Sequence, residues 1–146
     1  LSNAVHNYYV AKNHGYIRAN GRFLPERGHI MVIRKDEMAT AVNVNMRGGE
    51  GTVRVTKIVD KPQYDGNARL IATIHLEPGA SIGAHIHENE EEIFYVISGE
   101  ALYNDNGTDV VMYPGDSCIC NNNTGHALKN NRSDSELVVM AIILTL

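Results

Sequence analysis

The sequence predicts an all-β protein, a barrel or sandwich of short strands. Three observations carry that prediction. Short apolar or β-branched segments recur at close spacing along most of the chain. Clusters of Gly, Pro, Asn and Asp separate them, at Pro78-Gly79, 104–107, Pro114-Gly115 and 130–134. His85 and His87 stand one residue apart in an extended segment, and Glu92 opens the next apolar run.

The elements follow in order. Residues 1–28 are polar and aromatic without sustained periodicity and are expected to form an N-terminal arm. Within them Ser2-Asn3-Ala4 resembles a scar left by tag removal. Residues 29–146 are expected to form one domain, beginning with an apolar strand at 29–34. Segment 36–46 has mixed spacing and is expected to hold a short helix. Segment 52–59 alternates, with Val53, Val55 and Lys57 on one face and Thr52, Arg54, Thr56 and Ile58 on the other. Further strands are expected at 68–76, 92–98, 100–103, 109–112, 117–120, 126–129 and 136–144. Phe94 has the parity of Glu92 and should face the interior, whereas Tyr95 should face away. The last run, 137–146, is too short to span a membrane and reads as a buried strand.

Composition narrows the function. The chain has 146 residues, 43% hydrophobic, enough for one core. Its formal net charge is −4 and Lys and Arg do not cluster, so a nucleic-acid footprint is absent. Neither a membrane-spanning stretch nor a secretory leader is visible, so a cytoplasmic protein is expected. Cys118 and Cys120 share a strand face, where neighbouring thiols bridge poorly, and they read as packing residues in a reducing compartment.

A strand sends alternate side chains to one face, so His85 and His87 can point at one atom. Glu92 can join them from the next strand, and His126, after a polar turn, is a fourth candidate ligand. Imidazoles and a carboxylate suit one divalent ion among Mn, Fe, Zn, Ni and Co without choosing between them. Gly79, Gly99 and Gly115 are expected to be turn residues with positive φ, and Asp116 a turn-stabilising side chain. His75 and Tyr113 are the weaker candidates for an acid or base at the pocket rim.

These residues resemble a known family. Gly79, His85, His87, Glu92 and Gly99 match each fixed position of the first cupin motif, G-x5-H-x-H-x3,4-E-x6-G. Counting back from Gly99 selects Glu92 over Glu90 and Glu91. Gly115, His126 and Asn130 match the second motif, G-x5-P-x-G-x2-H-x3-N, with Asn121 in place of proline and Asn123 in place of glycine. The resemblance covers roughly residues 70–145. It implies a double-stranded β-helix of the jelly-roll type with a metal inside, held by His85, His87, Glu92 and His126. It also favours a homodimer, formed by an N-terminal segment laid on a partner.

The resemblance implies a small metalloprotein acting on a small polar organic molecule, a carboxylate or a sugar derivative. Dioxygenase, isomerase, lyase and decarboxylase chemistry all fall within its range. The alternatives are a non-catalytic module that binds or senses a small ligand through the metal, and a purely structural scaffold.

Overall fold

A computed structural model describes residues 16–19, 22–25, 32–61 and 63–146. The chain separates into two compact units, Leu1–Val32 and Ile33–Leu146. In the first, β1 (Tyr16–Ala19) and β2 (Arg22–Pro25) form an antiparallel ribbon. The remainder of the expected arm lies outside the described residues.

The second unit is built from β3 (Thr40–Val44), β4 (Thr52–Val59), β5 (Ala68–Leu76), β6 (Ser81–Ile86), β7 (Glu90–Ser98), β8 (Ala101–Asp105), β9 (Thr108–Met112), β10 (Ser117–Cys120), β11 (Gly125–Asn130) and β12 (Leu137–Thr145). They make two antiparallel sheets. One runs in the order β10-β7-β12-β5-β4-β3 and the other β6-β11-β8-β9. The chain passes back and forth between them, and the two inner faces enclose the core, as in a jelly roll. No helix among the described residues is long and apolar enough to cross a membrane.

Two local expectations are corrected. Segment 36–46 holds strand β3 over 40–44, with single 3-10 turns, Lys35–Glu37 and Met46–Gly48, on either side. Residues 40–44 pair with Val53, Thr52 and their neighbours on β4, and this ladder overrides weak local preference. In 29–34, Val32 to Arg34 are not strand, and residues 29–31 lie outside the described residues. There the Arg34 amide donates to Glu37 Oε2 at 2.8 Å and closes a turn.

The long apolar run became β12 because it sits in the middle of a sheet. It pairs with β5 on one side and β7 on the other. Its inward residues Leu137, Val139, Ala141 and Ile143 are buried against Val53, Ile74, Leu76, Phe94, Val96 and Leu128. Each fully buried large side chain of this kind contributes about 1.5–3 kcal/mol relative to exposure. Asn130 ties the turns to this core: its Nδ2 faces the carbonyls of Leu76, Glu77 and Ser135 at 3.1, 3.0 and 2.8 Å. Gly99 is required twice over. Its φ is +89°, and an added Cβ would meet Glu136 O at 2.7 Å. Gly79 and Gly115 also have positive φ.

Candidate metal centre

The four candidate ligands come from both sheets. β6 carries His85, and His87 follows one residue past its end. β11 lies antiparallel to β6 and brings His126 opposite His85. Glu92 comes across the barrel from β7 in the facing sheet. The turn before His126 is held by Asn123 N donating to His87 O at 2.7 Å and Thr124 Oγ1 to Asn121 O at 2.6 Å. Asn123 has φ +61°. Asparagine tolerates this left-handed conformation, so it does there what the family's glycine would do.

The donor atoms converge. Nε2 of His126 lies 3.2 Å from Nε2 of His85 and 3.2 Å from Nε2 of His87. Glu92 Oε2 lies 3.1 Å from His87 Nε2, 3.0 Å from His126 Nε2 and 4.0 Å from His85 Nε2. One ligand atom from each residue falls within 4.8 Å of all the others, a group that could hold a metal ion. His87, Glu92 and His126 are buried, at 4%, 4% and 1% exposure, a costly place for unpaired polar groups.

The surroundings fit a cation. His85 Nδ1 is 2.9 Å from Gly83 O. A carbonyl only accepts, so Nδ1 carries the proton and Nε2 presents its lone pair to the centre. Burial, the largest cause, pushes the His85 imidazole below its ordinary range, and His126 and His87 push the same way. Gly83 and Glu92 oppose them. Two or more bare nitrogens facing a carboxylate repel unless a proton or a metal sits among them. His126 stacks on Phe94, with centroids 5.3 Å apart and planes at 12°. Its Nδ1 is buried without a hydrogen-bond partner among the described residues.

A further layer surrounds the donors. His87 Nδ1 faces Glu90 Oε2 at 3.5 Å, and Arg69 grips the same carboxylate through Nε and Nη2. The hydrogen bond from Arg69 holds Glu90 below the usual carboxylate range and raises Arg69 in return. A cavity of about 100 Å³ adjoins His85, His87 and Glu92. Val55, Leu70, Ile74, Ile82 and Ile143 make its apolar wall, and Met46, Arg47 and Arg69 complete the lining.

The weaker candidates fall elsewhere. His75 points away from the buried face of β5, with Nδ1 2.9 Å from Glu136 Oε2. Tyr113 is 55% exposed and does not line the cavity. Asp116 Oδ2 accepts from the Tyr113 amide at 2.8 Å, as a turn-stabilising residue should. Both cysteines are free thiols, and burial pushes Cys118 up to about 11 and raises Cys120, so both are neutral packing groups.

Arg47, Arg69 and Glu90 were not picked out from sequence. Glu90 shares the parity of Glu92, the one signal that pointed to it. Uniform alternation places Arg69 on the face of His75. A bulge re-aims it: on β12, Ile143 pairs with Leu70 and Leu144 with Ala68, which skips Arg69.

Comparison with known proteins agrees with this geometry. The family model for the Cupin domain matches residues 72–143. An oxalate-binding protein of Thermotoga maritima is 37% identical over 121 residues, covering 83% of this chain and 99% of the relative. The chain belongs to the cupin family. A crystal structure of a predicted oxalate decarboxylase from Thermotoga maritima superposes on this cupin with a TM-score of 0.74. It is 38% identical, over 80% of this chain and 100% of that one. An oxalate decarboxylase of Arthroderma benhamiae is 27% identical over 139 residues, 91% of this cupin, which spans only 31% of that longer relative.

Proposed function

We propose that this cupin binds a small carboxylate in a manner that requires a divalent cation, with oxalate the first candidate. One observation carries the reading. The four converging donors, three of which line the cavity, are accompanied there by two arginines, Arg47 and Arg69, as the other charged lining residues. An anion is what such a cavity attracts. Its apolar wall lowers the local dielectric and strengthens that attraction.

The name of the Thermotoga maritima relative supports oxalate among such anions.

His85, His87, Glu92 and His126 would hold the ion. Their separations start at 3.0 Å and all lie within 4.8 Å. When bound, such an ion supplies Lewis-acid polarisation of an oxygen-donor ligand. The chain's own contribution is orientation of the imidazoles, positive charge at the rim and exclusion of water.

The names of two relatives favour a second reading, metal-dependent decarboxylation. Glu92 is the one carboxylate among the described lining residues and belongs to the donor set. A separate carboxylic acid to protonate a product is therefore not among them, and binding is the preferred reading. A homodimer also belongs to the proposal, supported by Tyr95, Ile97 and Ile119, exposed on the outer face of the larger sheet at 46%, 45% and 45%.

Calorimetric titration of oxalate into metal-loaded and chelator-treated protein tests the reading, with carbon dioxide and formate followed in the same samples. Saturable binding in the loaded sample alone is expected. Binding that ignores the metal, or no binding with any of Mn, Fe, Zn, Ni or Co, would overturn it. Product release would establish the catalytic reading instead.

A further inference from the structure

We infer that Arg47 selects a dianionic ligand, pairing with the carboxylate group that the cation site leaves free. The inference rests on carboxylate binding in the same cavity. Three observations meet at this residue. It lines the cavity from an exposed position at its mouth. Its backbone is left-handed, at φ 54° and ψ 28°, which costs energy for any residue bearing a Cβ. No hydrogen bond or ion pair engages its guanidinium among the described residues, whereas Arg69 is taken up by Glu90.

The turn that carries Arg47 is wound left-handed along much of its length. Asn45, Gly48 and Gly51 also have positive φ. It is fastened to the strand that presents His85. Ser81 N donates to Glu50 O at 2.8 Å, and Glu50 N donates to Ser81 Oγ at 2.9 Å. The two backbones touch through glycines: a Cβ on Gly83 would lie 2.2 Å from Arg47 O, and one on Gly49 would lie 2.2 Å from Ser81 O. Gly83 O is also the acceptor that orients His85. One short stretch of β6 therefore positions both a candidate metal ligand and the backbone of Arg47.

Among the described residues Arg47 has no partner, and a glycine would hold this left-handed turn with less strain. Beside a cavity for carboxylates its charge has a use. A monocarboxylate held at the cation site presents no second negative group. A dicarboxylate of similar size does, and a guanidinium can meet it with two parallel hydrogen bonds.

The test is calorimetric titration of Mn²⁺-loaded wild type, Arg47→Gln, Arg47→Gly and Arg47→Lys with oxalate and with formate, with manganese content and melting temperature read on the same samples. Expected are unchanged manganese loading and an oxalate-to-formate affinity ratio lowered about 10- to 100-fold in Arg47→Gln and Arg47→Gly. Arg47→Gly should melt no lower than wild type, and Arg47→Lys should recover only part of the ratio. A ratio in Arg47→Gln within about twofold of wild type overturns the inference and leaves carboxylate binding standing. Manganese lost from Arg47→Gln and Arg47→Gly alike also overturns it, since Arg47 would then support the fold of the site. No oxalate binding by wild type, or no loading at all, overturns the inference and the carboxylate reading together.

Discussion

Glu90 joins Arg69 to His87: its carboxylate accepts from the guanidinium and places Oε2 3.5 Å from His87 Nδ1. His87 turns its other nitrogen to Glu92 at 3.1 Å. An anionic acceptor behind a ligating imidazole fixes the tautomer and raises its basicity. Glu90→Ala is therefore expected to weaken divalent-metal binding by about 10- to 100-fold with the fold intact. Competition against a coloured chelator measures it, and circular dichroism checks the fold.

Metal should stabilise this cupin. Ligands that bind only the folded chain add stability by mass action, about 2.7 kcal/mol at a free concentration 100-fold above Kd. Melting temperature should rise with added Mn²⁺ or Zn²⁺ and fall back with chelator. In Glu92→Gln, which lacks the ionised oxygen of the donor group, that rise should largely disappear.

Acid should destabilise the metal-free protein through His85. Its folded-state pKa lies below the ordinary 6.5, chiefly because of burial. Above 6.5 the ring is neutral in both states and the stability is fully present. As pH falls, the unfolded chain takes up the proton first, so stability is lost down through the lowered folded value. Denaturant titrations of chelated protein at about pH 7.5 and about pH 5.5 should show a smaller drop for His85→Asn than for wild type. An equal drop in both would contradict the assignment of His85 as a half-buried neutral ring.

Two glycines should respond differently to alanine. At Gly83 the new Cβ would sit 2.2 Å from Arg47 O, a backbone atom. Overpacking of this kind costs about 1–3 kcal/mol, and here it should also weaken metal binding by disturbing the His85 support. At Gly79 nothing lies within 4 Å and φ is +73°, so only conformational strain of about 1–2 kcal/mol is expected. Metal affinity should survive Gly79→Ala. Denaturation curves and metal titration on both variants check the contrast.

Much of this was legible in the sequence where local chemistry and tertiary context agree. Strands β4, β5 and β10 have the predicted bounds. In β4 the alternation holds at Val53 and Val55, which pack on the core, and breaks at the bulge between Lys57 and Val59. The convergence of the four side chains was legible because one-residue spacing on an extended chain puts two imidazoles on one side, and motif spacing singled out Glu92 and His126. What was missed depends on departures from regularity. Arg69 enters the cavity only because a bulge breaks the alternation that also carries His75 outward. Arg47 enters from a left-handed turn, and an arginine there leaves no local signature. Segment 36–46 read as room for a short helix because the strand that pairs with 40–44 to make β3 lies further along the chain.

Metal content is the most direct test of the central claim, that His85, His87, Glu92 and His126 together hold one cation. Wild type, Glu92→Ala and His126→Ala are purified in parallel from metal-replete growth and analysed by elemental mass spectrometry. A single divalent ion per wild-type chain and little or none in the two folded variants is the predicted result. Equal metal in all three would contradict it.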